Sequence, residues 1–166
     1  MILFGLCGPM GTGKSTVARM LSVFKSQPSI IPMAKPLKDL ALSLGWNGEK
    51  DEKGRKVLQY LGTDVCRNID EEYWLKKWIY NCEIEIDKGC NMIICDDVRY
   101  QNEYDLIKSK GGYILYLTRD GFDAGDHSSE KFVPPNYDFI IRNPREMGLI
   151  KTFESVSEIF NKVGNL

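Results

Sequence analysis

Eight residues near the N-terminus, Gly8-Pro-Met-Gly-Thr-Gly13-Lys14-Ser15, constrain this chain more than any other segment. They fit the spacing G-x-x-x-x-G-K-[ST]. The apolar run Ile2 to Cys7 precedes them, and Val17, Met20, Leu21 and Phe24 follow at the i, i+3, i+4, i+7 spacing of one helix face. Strand, glycine-rich turn and helix in that order make a phosphate cradle. Gly8, Gly11 and Gly13 permit positive φ, so that successive backbone N–H groups can curl around an anion. The helix starting near Lys14 adds its positive end. The Lys14 ammonium can reach the outer phosphates of a polyphosphate, and the Ser15 hydroxyl can ligate Mg2+.

The rest of the chain alternates strand and helix signals, which predicts an α/β fold with a mainly parallel sheet. Short apolar strands are expected at Ser29–Met33, Met92–Cys95, Tyr113–Leu117 and Tyr137–Ile141. Leu37, Leu40, Ala41 and Leu44 give a helix ended by Gly45, and residues 45–54 read as a polar loop. A short helix through Val57, Leu58 and Leu61 is expected to stop at Gly62. Asp70 suits the N-cap of a longer helix striped by Trp74, Leu75, Trp78, Ile79, Cys82 and Ile86. Another helix is expected from about Gln101 to Lys110. Ser155-Val-Ser-Glu158 fits a capping box in the last helix. Residues 119–136 are polar and aperiodic, a length at which loops tend to be functional.

With 166 residues the expectation is one domain over 1–166, with a core large enough to do without disulfide staples. Its 43% hydrophobic and 27% charged residues exclude a disordered chain. Lys and Arg total 22 against 23 Asp and Glu, a balance that disfavours long nucleic acid and anionic membrane as partners. Small anionic ligands need only a few local cations. Five cysteines, an odd number without CxxC spacing, read as free thiols of a reducing cytoplasm. The apolar start has no basic flank and passes straight into Gly8, so neither a signal peptide nor a membrane span is expected. A homodimer is compatible with the composition, which does not specify one.

Other residues suit a phosphate site. Asp96 and Asp97 end an apolar strand, where a carboxylate can orient Mg2+. Neighbours on extended backbone point to opposite faces, so one of the pair is expected to face the site, and spacing does not choose between them. Arg55, Arg67, Arg99 and Arg119 sit at element ends or in loops; Arg99 and Arg119, each following a strand, are the better candidates to clamp phosphate oxygens. His127, the sole histidine, has no triad partners nearby. Trp74 and Trp78, four apart on one stripe, suit a core more than a base-stacking platform.

Taken together, several segments resemble the bacteriophage-type deoxynucleoside monophosphate kinases, within the P-loop nucleotide and small-molecule kinase group. They are the cradle Gly8–Thr16, Ala34-Lys-Pro-Leu-Lys38, Leu58-Gln-Tyr-Leu-Gly-Thr-Asp64 with Arg67 and Trp74, and Asp97-Val-Arg99 with Asn102-Glu103. Gly111-Gly112 then leads to Arg119, and His127-Ser-Ser-Glu130 precedes Asp138-Phe-Ile-Ile and Asn143. The resemblance runs to about residue 145. It implies a three-layer fold with a parallel, five-stranded sheet flanked by helices, an acceptor-binding helical segment over about 34–74, and a lid over about 119–136.

ATP and Mg2+ would sit on the cradle, held by Gly8, Gly11, Thr12, Gly13, Lys14, Ser15 and Thr16, with Asn143 in the adenine-side loop. Ser15 and Asp96 would serve the metal. Lys14, Asp97, Arg99 and Arg119 would be catalytic. Lys35, Lys38, Gly62, Thr63, Arg67, Trp74 and Arg99, with His127 and Glu130 of the lid motif, would meet the acceptor, a deoxynucleoside monophosphate. A kinase for another phosphorylated metabolite such as phosphomevalonate shares part of this motif order. A regulatory nucleotide-binding ATPase is a third reading; the chain has no Asn-Lys-x-Asp stretch for guanine.

Overall fold

Short apolar strands buried on both faces fix the architecture. In β1 (Ile2–Cys7), Leu3 and Cys7 pack into one core, while Phe4 and Leu6 pack into another on the opposite face. The same period of two runs through β3 (Met92–Cys95), with Ile93 and Cys95 on one side and Met92 and Ile94 on the other. A strand buried on both faces needs cover on both, and helices supply it. Helices α1 (Lys14–Ser22) and α6 (Leu149–Gly164) bring Val17, Leu21, Val156 and Ile159 to one face. Helices α4 (Tyr73–Asp87) and α5 (Gln101–Ser109) bring Leu75, Trp78, Tyr104 and Ile107 to the other. The computed structural model describes residues 1–119, 132–142 and 148–164.

With β2 (Pro28–Ile30), β4 (Tyr113–Thr118) and β5 (Phe139–Arg142), the sheet has five parallel strands in the order β2-β3-β1-β4-β5. From β1 the chain moves out to β2, returns to β3, and then crosses to the other side of β1. The carboxyl ends of β1 and β3, in register at Gly5 and Cys95, therefore flank the point where the crossover direction reverses. Ligands gather outside the strands at such a point. The cradle leaves β1 there, and Asp96 leaves β3.

Between β2 and α4 lie α2 (Lys35–Ser43), α3 (Glu52–Gln59) and a π-helical stretch, Tyr60–Arg67, continuous with α3. Gly62 does not end a helix as expected: a Cβ there would lie 2.9 Å from Leu37 Cδ2. Its missing side chain admits α2 instead. Asp70 is not the cap residue of α4 either. Its carboxylate accepts the Glu72 N–H at 3.0 Å and pairs with Lys76 at 2.7 Å, ahead of the first turn. Nor does Ser155 cap a helix; its hydroxyl donates to the Lys151 carbonyl inside α6. The strands β2 and β5 lie one to three residues from their expected bounds. All five cysteines are free, and burial pushes Cys7 and Cys82 up to about 12, leaving them as inert core thiols. No helix among the described residues is long and apolar enough to cross a membrane.

Candidate active site

The turn after β1 has the backbone its glycines foreshadow. Gly8, Gly11 and Gly13 hold φ of 137°, 82° and 97°. Gly8 also meets a steric limit, because a Cβ would fall 2.2 Å from the Leu117 carbonyl oxygen. Gly13 occupies the N-cap of α1 without a side-chain cap, and no acidic residue follows in the first turn. The helix thus presents its positive end to the turn. Thr12 is buried, its hydroxyl donating to the Pro9 carbonyl at 2.9 Å.

The Lys14 ammonium folds back over the turn, donating to the Gly8 carbonyl at 2.6 Å and the Pro9 carbonyl at 2.8 Å. Burial, followed by the nearby Arg99 guanidinium, brings its pKa down to about 8, against the opposing pull of Asp96 and Asp97. One residue on, the Ser15 hydroxyl donates to Asp96 Oδ2 at 2.8 Å. Asp97 also lines the cavity, but its oxygens are engaged: Oδ1 accepts the Met33 N–H at 2.6 Å, and Oδ2 the Ala34 N–H at 3.1 Å. Burial and the neighbouring Asp96 raise its pKa, while those amides and Arg99 oppose the rise.

The cradle opens into a cavity of about 680 Å3, within the usual range for small-molecule sites. Its far end is helical and partly apolar, lined by Leu37, Leu58, Gln59, Gly62, Thr63 and Trp74. Trp74 is a buried wall, with its indole N–H donating to the Gly62 carbonyl at 2.9 Å. The lining also holds a buried ion pair. Arg67, 14% exposed, pairs with Glu103, 4% exposed, at 2.7 Å and stacks over the Tyr100 ring at 3.9 Å. The other Glu103 oxygen accepts the N–H groups of Arg99 at 2.7 Å and Tyr100 at 3.2 Å. That carboxylate therefore fixes the backbone from which Arg99 projects. Burial pushes the Glu103 pKa up to about 7, against the pull of the Arg99 amide and Arg67. On the cradle side, Arg119 donates to the Gly11 carbonyl at 3.1 Å.

A family model for deoxynucleotide monophosphate kinase matches residues 46–153, well over half of the chain. The chain belongs to this family. The enzyme is thus a phosphotransferase acting on nucleotides. It is 29% identical over 195 aligned positions to a protein of Acanthamoeba polyphaga mimivirus named "Putative deoxynucleotide monophosphate kinase", covering 99% of this chain and 97% of the relative. Among solved structures it resembles the APS kinase of Mycobacterium tuberculosis in complex with AMPPNP and APS, with TM-score 0.55, 12% identity, and coverage of 98% and 97%. Shikimate kinase from Aquifex aeolicus is similar too, with TM-score 0.52, 14% identity, and coverage of 98% and 96%. These distant likenesses speak to the kinase fold, with its five-stranded parallel sheet between helices.

Most of the kinase's sequence candidates converge on this one cavity. From the cradle come Gly11, Gly13, Lys14, Ser15 and Thr16, and from the strand ends Asp96, Asp97, Arg99 and Arg119. The helical side supplies Lys38, Gly62, Thr63, Arg67 and Trp74. Lys35 is not among the lining residues; it pairs with Asp39 at 2.7 Å, one turn along α2, with both side chains more than half exposed. His127, Glu130 and Asn143 lie outside the described residues. Sequence reasoning missed Lys50, Gln59 and Tyr100 as lining residues and did not carry Arg55 into the site. Lys50 sits in a segment without periodicity, so no pattern marked it. Gln59 lies inside the Leu58–Asp64 stretch of the resemblance, from which only Gly62 and Thr63 were given a site role.

Proposed function

We propose that the enzyme transfers the γ-phosphoryl group of ATP to the phosphate of a deoxynucleoside monophosphate, giving ADP and the deoxynucleoside diphosphate. The observation that carries this reading is the continuity of the cavity. One cavity is lined by the polyphosphate cradle, by a partly apolar set of helical residues and by several cations. A nucleoside monophosphate has matching chemistry, a flat base for the apolar lining and a phosphate for the cations.

Phosphoryl transfer asks mainly for positioning and charge stabilisation. The bond from the γ-phosphorus to the ADP oxygen breaks, and a bond to an acceptor phosphate oxygen forms. The acceptor oxygen is already anionic, so no general base is needed. Lys14, on leaving its own loop carbonyls, would meet the donor phosphates. Arg99 and Arg119 would stabilise the transferring group, and Lys38, Gly62, Thr63, Arg67 and Trp74 would seat the acceptor. Asp97, whose oxygens are occupied by backbone amides, fits a positioning role in setting the start of α2.

The donor set near the cradle suits Mg2+. The Ser15 hydroxyl and Asp96 carboxylate are hard oxygen donors 2.8 Å apart. No cluster of three or more His, Cys, Asp or Glu among the described residues could hold a metal alone. Mg2+ commonly takes only one or two protein oxygens, completing its shell with water and phosphate. When bound it would neutralise charge on the outer phosphates.

ADP release with ATP and each of the four common dNMPs, alongside phosphomevalonate and no acceptor, tests the reading. Turnover on at least one dNMP is expected. Turnover on phosphomevalonate alone, or acceptor-independent hydrolysis alone, would sink it.

A further inference from the structure

The turn between α2 and α3 brings to the cavity a cation that no motif marks. Lys50 lines it together with Lys38 from α2 and Arg99 from the segment after β3. Among the described residues, none of these three charged heads has a hydrogen-bond or ion-pair partner. They do feel one another. The Lys50 pKa is lowered first by Lys38, then by burial and Arg99, while Asp97 and Asp96 pull it upward. The repulsion among these like charges is only partly offset by the two aspartates, and a bound polyanion would relieve it. Lys50 thus lines the same cavity as Lys38 of the helical side and Asp96 of the cradle side.

The turn is built to hold this residue. The Trp46 indole N–H donates to the Glu49 carbonyl at 3.0 Å, and the Glu49 N–H donates to Asn47 Oδ1 at 3.0 Å. Arg55 Nε donates to the Lys50 carbonyl at 3.0 Å. Asp51 caps α3 by accepting the Gly54 N–H at 2.7 Å. A Cβ on Gly54 would lie 2.0 Å from the Glu49 carbonyl oxygen, so the turn and α3 are in close contact. Every one of these bonds uses the Lys50 backbone or another residue, and none uses its ammonium.

We propose that Lys50 is a further catalytic residue, contacting the acceptor phosphate and the incoming phosphoryl group. The assignment rests on the acceptor reading given under Proposed function. As the γ-phosphorus leaves ADP and bonds to the acceptor oxygen, two anions must approach closely. Lys14 offsets charge on the donor side, and Lys50, with Lys38 and Arg99, offsets it on the acceptor side. No proton changes hands.

Steady-state kinetics of Lys50→Met and Lys50→Arg, with dNMP and ATP varied separately, test the assignment. The control is Lys56→Met, since Lys56 pairs with Glu52 on an exposed face of α3. For Lys50→Met, kcat/KM for the dNMP is expected to fall about 30- to 300-fold, with KM for ATP within about twofold of wild type. Lys50→Arg should recover most of the loss, and Lys56→Met should match wild type. A Lys50→Met enzyme with wild-type kcat/KM for the dNMP would overturn the role of Lys50 alone. Loss of its thermal transition would also overturn it, because no bond of the turn involves this side chain. A wild-type enzyme that phosphorylates none of the four dNMPs would overturn the acceptor reading, and Lys50 with it.

Discussion

The Ser15 hydroxyl donates to the Asp96 carboxylate across 2.8 Å, linking the first turn of α1 to the carboxyl end of β3. Its neighbour Asp97 spends both oxygens on the amides of Met33 and Ala34. Adjacent carboxylates therefore have separable tasks. Asp96→Asn should lower kcat by at least about 100-fold and weaken the response to added Mg2+, with stability within about 0.5 kcal/mol of wild type. Asp97→Ala should destabilise the fold by about 2–3 kcal/mol, because two buried amides lose a charged acceptor. Urea unfolding beside a Mg2+ titration of activity separates the two. Equal kinetic losses without any stability difference would contradict the division.

Lys14 should make nucleotide binding depend on pH. Its pKa is lowered to about 8, and polyphosphate beside the ammonium would raise it again. Binding of ATP at pH 8 should therefore take up about half a proton, and affinity should decline as pH rises beyond that point. Calorimetry in buffers of different ionisation enthalpy measures the uptake. Lys14→Ala should abolish it and reduce phosphoryl transfer by at least about tenfold while leaving the fold intact. Proton release on binding would contradict the placement of Lys14 over the phosphates.

Glu103 accepts from Arg67, Arg99 and Tyr100 while almost wholly buried. A glutamine would turn a donor toward either the guanidinium or the two amides. Glu103→Gln should cost roughly 3–5 kcal/mol, the range for breaking a buried pair from one side. Its pKa also rises, from 4.5 to about 7. Between those values the folded chain binds a proton that the unfolded chain releases, so this residue's contribution to stability falls as pH climbs from about 4.5 to about 7. The difference between the wild-type and Glu103→Gln stability curves isolates that slope. A difference that is flat with pH would refute the burial-driven shift.

Gly8→Ala tests the cradle by sterics alone. Its Cβ would collide with the Leu117 carbonyl, and φ of 137° disfavours any side chain. A loss of at least about 2 kcal/mol is expected by thermal melting. Gly111→Ala, where φ is 72° but nothing lies within 4 Å of the added carbon, should cost less.

The cradle was legible because eight consecutive residues carry its whole logic, and short apolar runs alternating with helical stretches announced the parallel sheet. The choice between Asp96 and Asp97 was not legible. It depends on where the backbone of Met33 and Ala34 lies, more than sixty residues away in the chain. Gly62 misled for a similar reason. A glycine in a helical run can stop it or admit a neighbour, and only the position of Leu37 decides. Ser155 matched a local capping pattern, but packing of Val156 and Ile159 against the sheet carried the helix through it. Lys50 left no periodic trace, since a turn defined by indole and carboxylate bonds has no repeat to detect.

In the proposed reaction, phosphoryl moves from ATP to the phosphate of a dNMP inside one cavity. Incubating the enzyme with ATP labelled at the γ-phosphorus and each dNMP in turn, then separating the nucleotides, tests it most directly. The label should appear at the β-position of a deoxynucleoside diphosphate, in an amount equal to the ADP formed. Label found only in inorganic phosphate would mean hydrolysis and rule the transfer out.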